Sequence, residues 1–389
     1  MSPSKKIPGS IWLLGFVSMF MDISSELIHG LLPVFLVSAL GASVLSVGII
    51  EGVAEATAHI VKVFSGMLSD YIGRRKGLAV LGYGLGALSK PVFAMAGSVY
   101  WVFFARFTDR IGKGIRGAPR DAIIADLTPV EIRGAAYGLR QALDTVGAFT
   151  GPALGIVLMI LTADNFRQVF WFATIPAFIA VILLVTGIRE PDSNHFSAGV
   201  VSPVKTATLK QFNPAFWWVV AIGGVLTLAR FSEAFLILRA QDVGLPDAFA
   251  PAILITMNIV YAITAYPAGK LADTIRHSHL IVAGIILLAV ADLLLARAEG
   301  TGLVFTGVIL WGLHMGITQG LLAAMVANAA PEKLRGTAFG LFNLVCGIAL
   351  LAGCFSAGLL WDLYGASVTF YTGAGFASIT FLLLVLQKS

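Results

Sequence analysis

Acidic and basic side chains recur at helical spacing inside stretches of the sequence that are otherwise apolar. At about 100° per residue, Arg106, Arg110 and Lys113 lie on one side of a helix, with Asp109 beside them. The same spacing aligns charged residues in several other segments. The candidates for chemistry are Asp22, Glu26, Glu51, Glu55, Arg106, Asp109, Arg110, Lys113, Arg140 and Asp144 in the first half of the chain, and Arg230 and Glu233 in the second.

These residue types suit proton exchange and anion binding. A carboxylate beside an arginine can exchange a proton for its basic partner, and clustered arginines can hold a carboxylate or phosphate through paired hydrogen bonds. Because most of the charges lie in the first half, we expect ion coupling there, with Asp22 or Glu26 as the proton carrier. The alternative is a network of paired charges that only holds the helices together.

The composition places the chain in a membrane. Of its 389 residues, 58% are hydrophobic and 12% are charged, and the mean hydropathy is +0.89. Soluble domains have about 25% charged residues, so the lipid bilayer is the expected solvent. The net charge of +5 is spread over short loops and apolar segments, which argues against a nucleic-acid partner. Cys346 and Cys354 are not spaced for a disulfide framework or a zinc site, and we expect no metal and no cofactor.

Apolar stretches predict twelve membrane-spanning helices. The fourth, residues 100–127, is so charged that hydropathy alone would reject it. An internal repeat supports it, because Pro129–Leu139 recurs as Pro331–Leu341, an offset of 202 residues, and Gly66–Ile72 recurs as Gly269–Ile275. This offset maps the fourth segment onto the apolar stretch 302–330.

The repeat predicts an all-α membrane protein made of two six-helix bundles related by a parallel duplication. The first bundle comprises residues 1–188 and the second residues 214–389, with a cytoplasmic linker at 189–213. Lysine and arginine are enriched in alternate loops and near the N-terminus, which predicts that both termini are cytoplasmic. We expect a multi-pass protein of a bacterial inner or plasma membrane.

A motif follows the second apolar segment, with Gly66, Leu68, Asp70, Gly73, Arg74 and Arg75 in a fixed order. Together with the twelve segments and the parallel repeat, it resembles the major facilitator superfamily of secondary transporters over essentially the whole chain. The resemblance implies two bundles that rock about a central cavity. It also implies a conformational latch formed by Gly66, Asp70, Gly73 and Arg74, with Asp273 in a weaker second copy.

Two further features of the sequence resemble members of this family. Gly147, Gly151, Pro152 and Gly155 resemble the glycine and proline motif in helix five of proton-coupled exporters. Helix packing without any export role is the alternative for this motif. Arg106 occupies the position of the family's membrane-embedded arginine, which is often tied to proton coupling.

The sequence therefore predicts a proton-coupled secondary transporter, or permease, that moves a small polar, anionic solute and acts as a monomer without enzymatic activity. An efflux antiporter for drugs or other amphiphiles is the alternative within the same fold. The alternatives of another class are a membrane-embedded enzyme and a sensor that does not transport.

Overall fold

The computed structural model describes residues 7–72, 75–189, 209, 211–272, 274–331 and 334–386. Long α-helices make up most of this part of the chain. They are α1 (Gly9–His29), α2 (Val44–Ile72), α3 (Arg75–Met95), α4 (Val99–Leu127), α5 (Arg133–Leu161), α6 (Phe166–Gly187), α7a (Pro214–Ala229), α7b (Ala234–Asp242), α8 (Ala252–Ala272), α9 (His277–Ala296), α10 (Thr301–Ala329), α11 (Arg335–Tyr364) and α12 (Ala366–Leu386).

The predicted all-helical membrane fold is confirmed. Eleven helical segments of the described chain are long and apolar enough to cross a membrane. The charged segment predicted at 100–127 is one continuous 29-residue helix, α4, although its charges keep it out of that set. Because α4 packs along α3 as the apolar α10 packs along α9, it takes the place of a spanning helix.

The internal repeat is visible in the helix packing. In the first half α1 contacts α5 and α6, and α3 contacts α4 and α6. In the second half α7a contacts α11 and α12, and α9 contacts α10 and α12, which is the same pattern six helices later. Individual contacts repeat as well, since Gly82 packs against Arg116 and Gly284 against Thr318, each 202 residues further on.

The first helix of each half is broken at equivalent positions. α1 ends at His29 and continues through a helical turn at Leu32–Val34 and a π-helical turn at Phe35–Ala39. α7a ends at Ala229 and the chain resumes as α7b at Ala234. The sequence predicts both as single unbroken segments, so these breaks are a finding of the structure. A break inside a membrane is tolerated where the protein covers the freed backbone groups.

The described residues group into two compact units. The first unit contains those of Met1–Leu32 and Thr57–Val200, and the second those of Pro33–Ala56 and Val201–Ser389. The first has an apolar core that includes Ile11, Val17 and Tyr83, and the second has one that includes Phe216 and Val326. The sequence divides the chain at residues 188 and 213 and does not predict that residues 33–56 group with the second unit. The predicted division stays a prediction.

The start of α2 is held on α11 inside the second unit. The backbone N–H groups of Val44 and Leu45 donate to the two carboxylate oxygens of Asp362, each over 3.0 Å. A methyl group added at Gly358 would lie 2.7 Å from Cα of Leu45, so the glycine allows the two helices to approach closely. Asp362 thus caps a helix that lies more than 300 residues away in sequence.

We expect Asp362→Ala to lower the apparent melting temperature of the purified protein in detergent. The substitution leaves two N–H groups at the start of α2 without their acceptor, and the loss of a helix cap costs about 1 kcal/mol. Asp362→Asn keeps one carbonyl oxygen and should lose less. Glu299→Ala changes an exposed acid in the loop before α10 and serves as the control. Equal melting temperatures for the Asp362 and Glu299 variants would contradict this role of the cap.

Candidate functional site

The predicted charged residues fall into both units. Asp22, Glu26, Arg106, Asp109, Arg110, Lys113, Arg140 and Asp144 lie in the first unit. Glu51 and Glu55 lie in the second unit with Arg230 and Glu233, although the sequence places them in the first half. The first unit is therefore the richer in embedded charge.

A deeply buried ion pair joins α3 to α4. Lys90 Nζ donates to Asp109 Oδ1 over 2.7 Å and to the hydroxyl of Ser25 over 3.0 Å. The side chains of Lys90 and Asp109 are 1% and 3% exposed. Arg110 Nε lies 3.6 Å from the second carboxylate oxygen of Asp109, and Arg106 is buried on the same helix. Asp109 is thus a structural counterion for several bases.

A second network joins α4 to α5. Arg140 Nη1 lies 2.9 Å from Asp144 Oδ2 and 3.8 Å from Asp121 Oδ1. Arg120 reaches the same Asp121 oxygen over 3.1 Å and donates to the hydroxyl of Ser18 on α1 over 2.6 Å. The predicted pair Arg140 and Asp144 therefore belongs to a network that also involves Arg120 and Asp121.

The glycine motif of α5 sets the distance between α5 and α1. A methyl group added at Gly147 would lie 2.7 Å from the carbonyl oxygen of Met19 and 2.9 Å from Cβ of Asp22. One added at Gly151 would lie 2.6 Å from the carbonyl oxygen of Ile23 and 3.0 Å from Cβ of Glu26. Pro152 and Gly155 are buried on the same helix. The motif therefore presses α5 against the turns of α1 that carry the two predicted proton carriers.

The predicted proton carriers have different surroundings. Asp22 lies within electrostatic reach of Asp144 on α5 and of Lys113, Arg116 and Arg120 on α4. Glu26 also lies within reach of Lys113 and Arg110 on α4, but its Oε2 is 3.4 Å from Nδ1 of His29, one turn further along α1. Asp22 is thus the carboxyl group that stands between another carboxylate and the basic face of α4.

Arg116 and Tyr83 form a contact that sequence reasoning did not single out. The guanidinium carbon of Arg116 lies 5.0 Å from the centre of the Tyr83 ring. Within the described chain, Arg116 Nη1 and the Tyr83 hydroxyl are buried without a hydrogen-bond partner. Gly86 borders the same place, because a methyl group there would lie 3.1 Å from Arg116 Nη1. The glycines at 82 and 86, one turn apart, are the signal that marks this close approach of α3 and α4.

The second unit holds a smaller polar group near the break between α7a and α7b. Arg230 lies within electrostatic reach of Glu233, Tyr261 and Cys346. Glu51 and Glu55 lie, like Glu233, within reach of Cys354 on α11. The break in the helix therefore gathers the predicted charges of this unit.

The predicted conformational latch is only partly described. The side chain of Asp70 and all of Gly73, Arg74 and Asp273 lie outside the described residues, so the latch stays a prediction. Gly66 is described, and a methyl group on it would lie 3.4 Å from Cβ of Ala118 on α4.

In the part of the chain that the structure describes, no group of three or more His, Cys, Asp and Glu residues is placed to hold a metal ion.

Comparisons with known proteins agree with this architecture. The family model described as Major Facilitator Superfamily matches residues 14–255 and 234–389. An uncharacterized MFS-type transporter of Methanocaldococcus jannaschii is 31% identical over 98% of this chain and 95% of its own length. The class D tetracycline resistance protein of Salmonella ordonez is 28% identical over 75% of each chain. A solved POT family transporter in complex with 5-aminolevulinic acid has a TM-score of 0.81 at 13% identity, over 97% of this chain and 96% of that one.

The Lys90–Asp109 pair predicts a non-additive response to substitution. Lys90→Met or Asp109→Leu alone leaves a buried charge without its partner, which costs about 3–5 kcal/mol. The double variant removes both charges, so its loss of stability should be smaller than the sum of the single losses. Unfolding of the purified protein in mixed micelles by increasing SDS measures all four proteins. Additive losses would show that the two side chains do not stabilise each other.

Proposed function

This chain belongs to the Major Facilitator Superfamily, and we propose that it is a proton-coupled secondary transporter of a small polar, anionic solute. It is a membrane protein of multiple spans, and the family and fold are those of transporters rather than enzymes. The proposal further places it in a bacterial inner membrane as a monomer, with both termini in the cytoplasm and without enzymatic activity.

The observation that carries proton coupling is the position of Asp22. Two neighbouring carboxyl groups favour holding one proton between them, and nearby bases favour releasing it. Asp144 already has Arg140 as a partner over 2.9 Å, which leaves Asp22 as the group that gains or loses the proton. Since Asp22 also stands beside the basic face of α4, an anion that binds there would change the balance of charge around it.

The anion preference follows from the basic face of α4. The Lys90–Asp109 pair and the Arg120–Asp121 pair use part of its charge, whereas Arg116 has a buried nitrogen without a partner in the described chain. A guanidinium group can hold a carboxylate or phosphate through paired hydrogen bonds. We therefore place the anion at the guanidinium group of Arg116, on the side within reach of Asp22.

Drug efflux is the second candidate function. The tetracycline resistance protein among the relatives is similar over three quarters of this chain. The packed glycines of α5 suit an exporter as well as an importer, because they set helix spacing and not direction. An exporter of lipophilic cations would use the acidic groups as the binding site and leave the arginines as their structural partners.

Proteoliposomes with an internal pH indicator separate these functions. We expect proton movement above that of protein-free vesicles when succinate or inorganic phosphate is added, and none with lipophilic cations such as tetraphenylphosphonium. Asp22→Asn should reduce solute-driven proton movement to the background level, because an amide cannot carry the proton. Glu26→Gln tests the other candidate carboxyl group.

Asp164→Asn is the matched control. Asp164 is exposed in the turn between α5 and α6, where its φ of 60° suits asparagine equally well. Proton movement with lipophilic cations alone would favour the exporter. Full activity in both the Asp22 and Glu26 variants would exclude these groups as proton carriers, and inactivity of the parent protein with every solute would contradict the proposal for these classes of solute.

Arg116→Lys tests where the anion binds. The substitution keeps the positive charge but removes the paired geometry, and a hydrogen bond to a charged group is worth about 1.5–3 kcal/mol. We expect the concentration of anion for half-maximal proton movement to rise about tenfold. Arg167→Lys, at the start of α6, is the control because its guanidinium donates to the carbonyl oxygen of Ala96, before the start of α4. An unchanged half-maximal concentration for Arg116→Lys would place the anion elsewhere.

A further inference from the structure

The repeat relates the buried ion pair of the first half to a different pair of residues in the second. At the offset of 202 residues, Lys90 on α3 corresponds to Asp292 on α9, and Asp109 on α4 corresponds to Trp311 on α10. The packing supports this register, because Gly82 and Gly284 in the same helices make equivalent contacts. An acid thus replaces the lysine, and a tryptophan replaces the aspartate.

Asp292 is completely buried. Its exposure is 0%, and within the described chain neither carboxylate oxygen has a hydrogen-bond partner. A methyl group added at Gly373 on α12 would lie 2.7 Å from Asp292 Oδ2 and 3.2 Å from Cε1 of Phe231. The glycine therefore makes the space that the carboxyl group occupies beside an aromatic ring.

Trp311 contributes the complementary polar atom. It is also 0% exposed, and its Nε1 has no hydrogen-bond partner in the described part of the chain. Its ring lies 5.9 Å from that of Phe231, the same residue that packs near the Asp292 carboxyl group. An N–H donor and a carboxyl acceptor without partners thus border one aromatic side chain.

The helices around Asp292 present no counterion to it among the described residues. From the α7 break, Arg230 and Glu233 flank Phe231 in sequence, but Arg230 has its electrostatic contacts with Glu233, Tyr261, Cys346 and His314. His314 on α10 makes its contact with the carbonyl oxygen of Gly284, about two turns from Asp292 along α9. On α12, the hydroxyl of Thr369 donates to the carbonyl oxygen of Ala357. Asp292 therefore has no charged neighbour in the part of the chain that the structure describes.

A proton is the occupant that fits this place. An ionised carboxylate without a counterion is costly in an apolar interior, and a metal cation requires more oxygen ligands than one carboxyl group offers. A neutral carboxyl group can still accept a hydrogen bond from an indole N–H.

We propose that Asp292, which shares Phe231 as a neighbour with Trp311, is a proton-binding site in the second half of the chain, at the position of the Lys90–Asp109 pair in the first. The closed packing of α9 on α12 holds the proton on the carboxyl group. When the packing opens to water, the proton passes to a water molecule and leaves a carboxylate, to which the Trp311 N–H donates. This site is separate from Asp22 and does not depend on the identity of the solute.

Infrared spectroscopy of the full-length protein in lipid vesicles tests the site without transport. Exposed aspartate and glutamate side chains are ionised at pH 8, so a carbonyl band of a neutral carboxylic acid at that pH reports a protected group. We expect one such band, shifted by ¹³C labelling of the aspartate carboxyl groups. It should be lost in Asp292→Asn and retained in Asp164→Asn.

Two further variants complete the test. Trp311→Phe removes the N–H donor to the ionised carboxylate while leaving a ring, so the band should persist to a higher pH than in the parent protein. This variant also provides a readout if Asp292→Asn does not fold. Absence of the band in the parent protein, its persistence in Asp292→Asn, or a band that disappears at the same pH in Trp311→Phe as in the parent protein would overturn the proposal. A band lost only in Asp22→Asn would overturn it too, while supporting the proton carrier in the first half.

Discussion

A charged side chain inside a membrane protein must have a partner, and this requirement organises the first unit. A charge near the middle of a bilayer costs about 3 kcal/mol even on the lenient insertion scales. α4 carries enough charge to fail a hydropathy criterion, yet it is a continuous helix packed along α3. It can occupy this place because Lys90 reaches Asp109 from α3 and Arg140 reaches Asp121 from α5.

Glycine makes these partnerships possible because ion pairs require short distances between backbones. A methyl group at Gly112 would lie 2.6 Å from the carbonyl oxygen of Gly82, so α3 and α4 meet at a contact that only glycine permits. Gly147 does the same for α1 and α5 next to Asp22. The glycine contacts and the ion pairs therefore depend on the same close packing of helices. The glycine motif of α5 has this physical role whichever solute is carried.

The sequence predicts the elements of this molecule better than their partners. Helical periodicity, apolar length and the repeated segment at Pro129–Leu139 are local signals, and they suffice for the helices, the duplication and the spanning role of α4. Which base pairs with which acid depends on side-chain reach across helices. The sequence therefore indicates that the charges of the first half need partners, but not that Lys90 selects Asp109. The grouping of Glu51 with the second unit is likewise set by how the start of α2 packs on α11.

Asp292 shows the limit of reading charge from hydropathy. It is a lone acid in α9, where the surrounding leucines and alanines give one of the most apolar spans of the chain, so averaging over the span conceals it. The offset of 202 residues, which the helix packing supports, places it where the first half has a lysine. The duplication gave both halves the same two positions on adjacent helices, and the two halves now carry different residues there. The first half neutralises its buried acid with a base, whereas the second places its acid beside Phe231 without a counterion among the described residues. That difference separates a pair that holds two helices together from a group proposed to take up and release a proton.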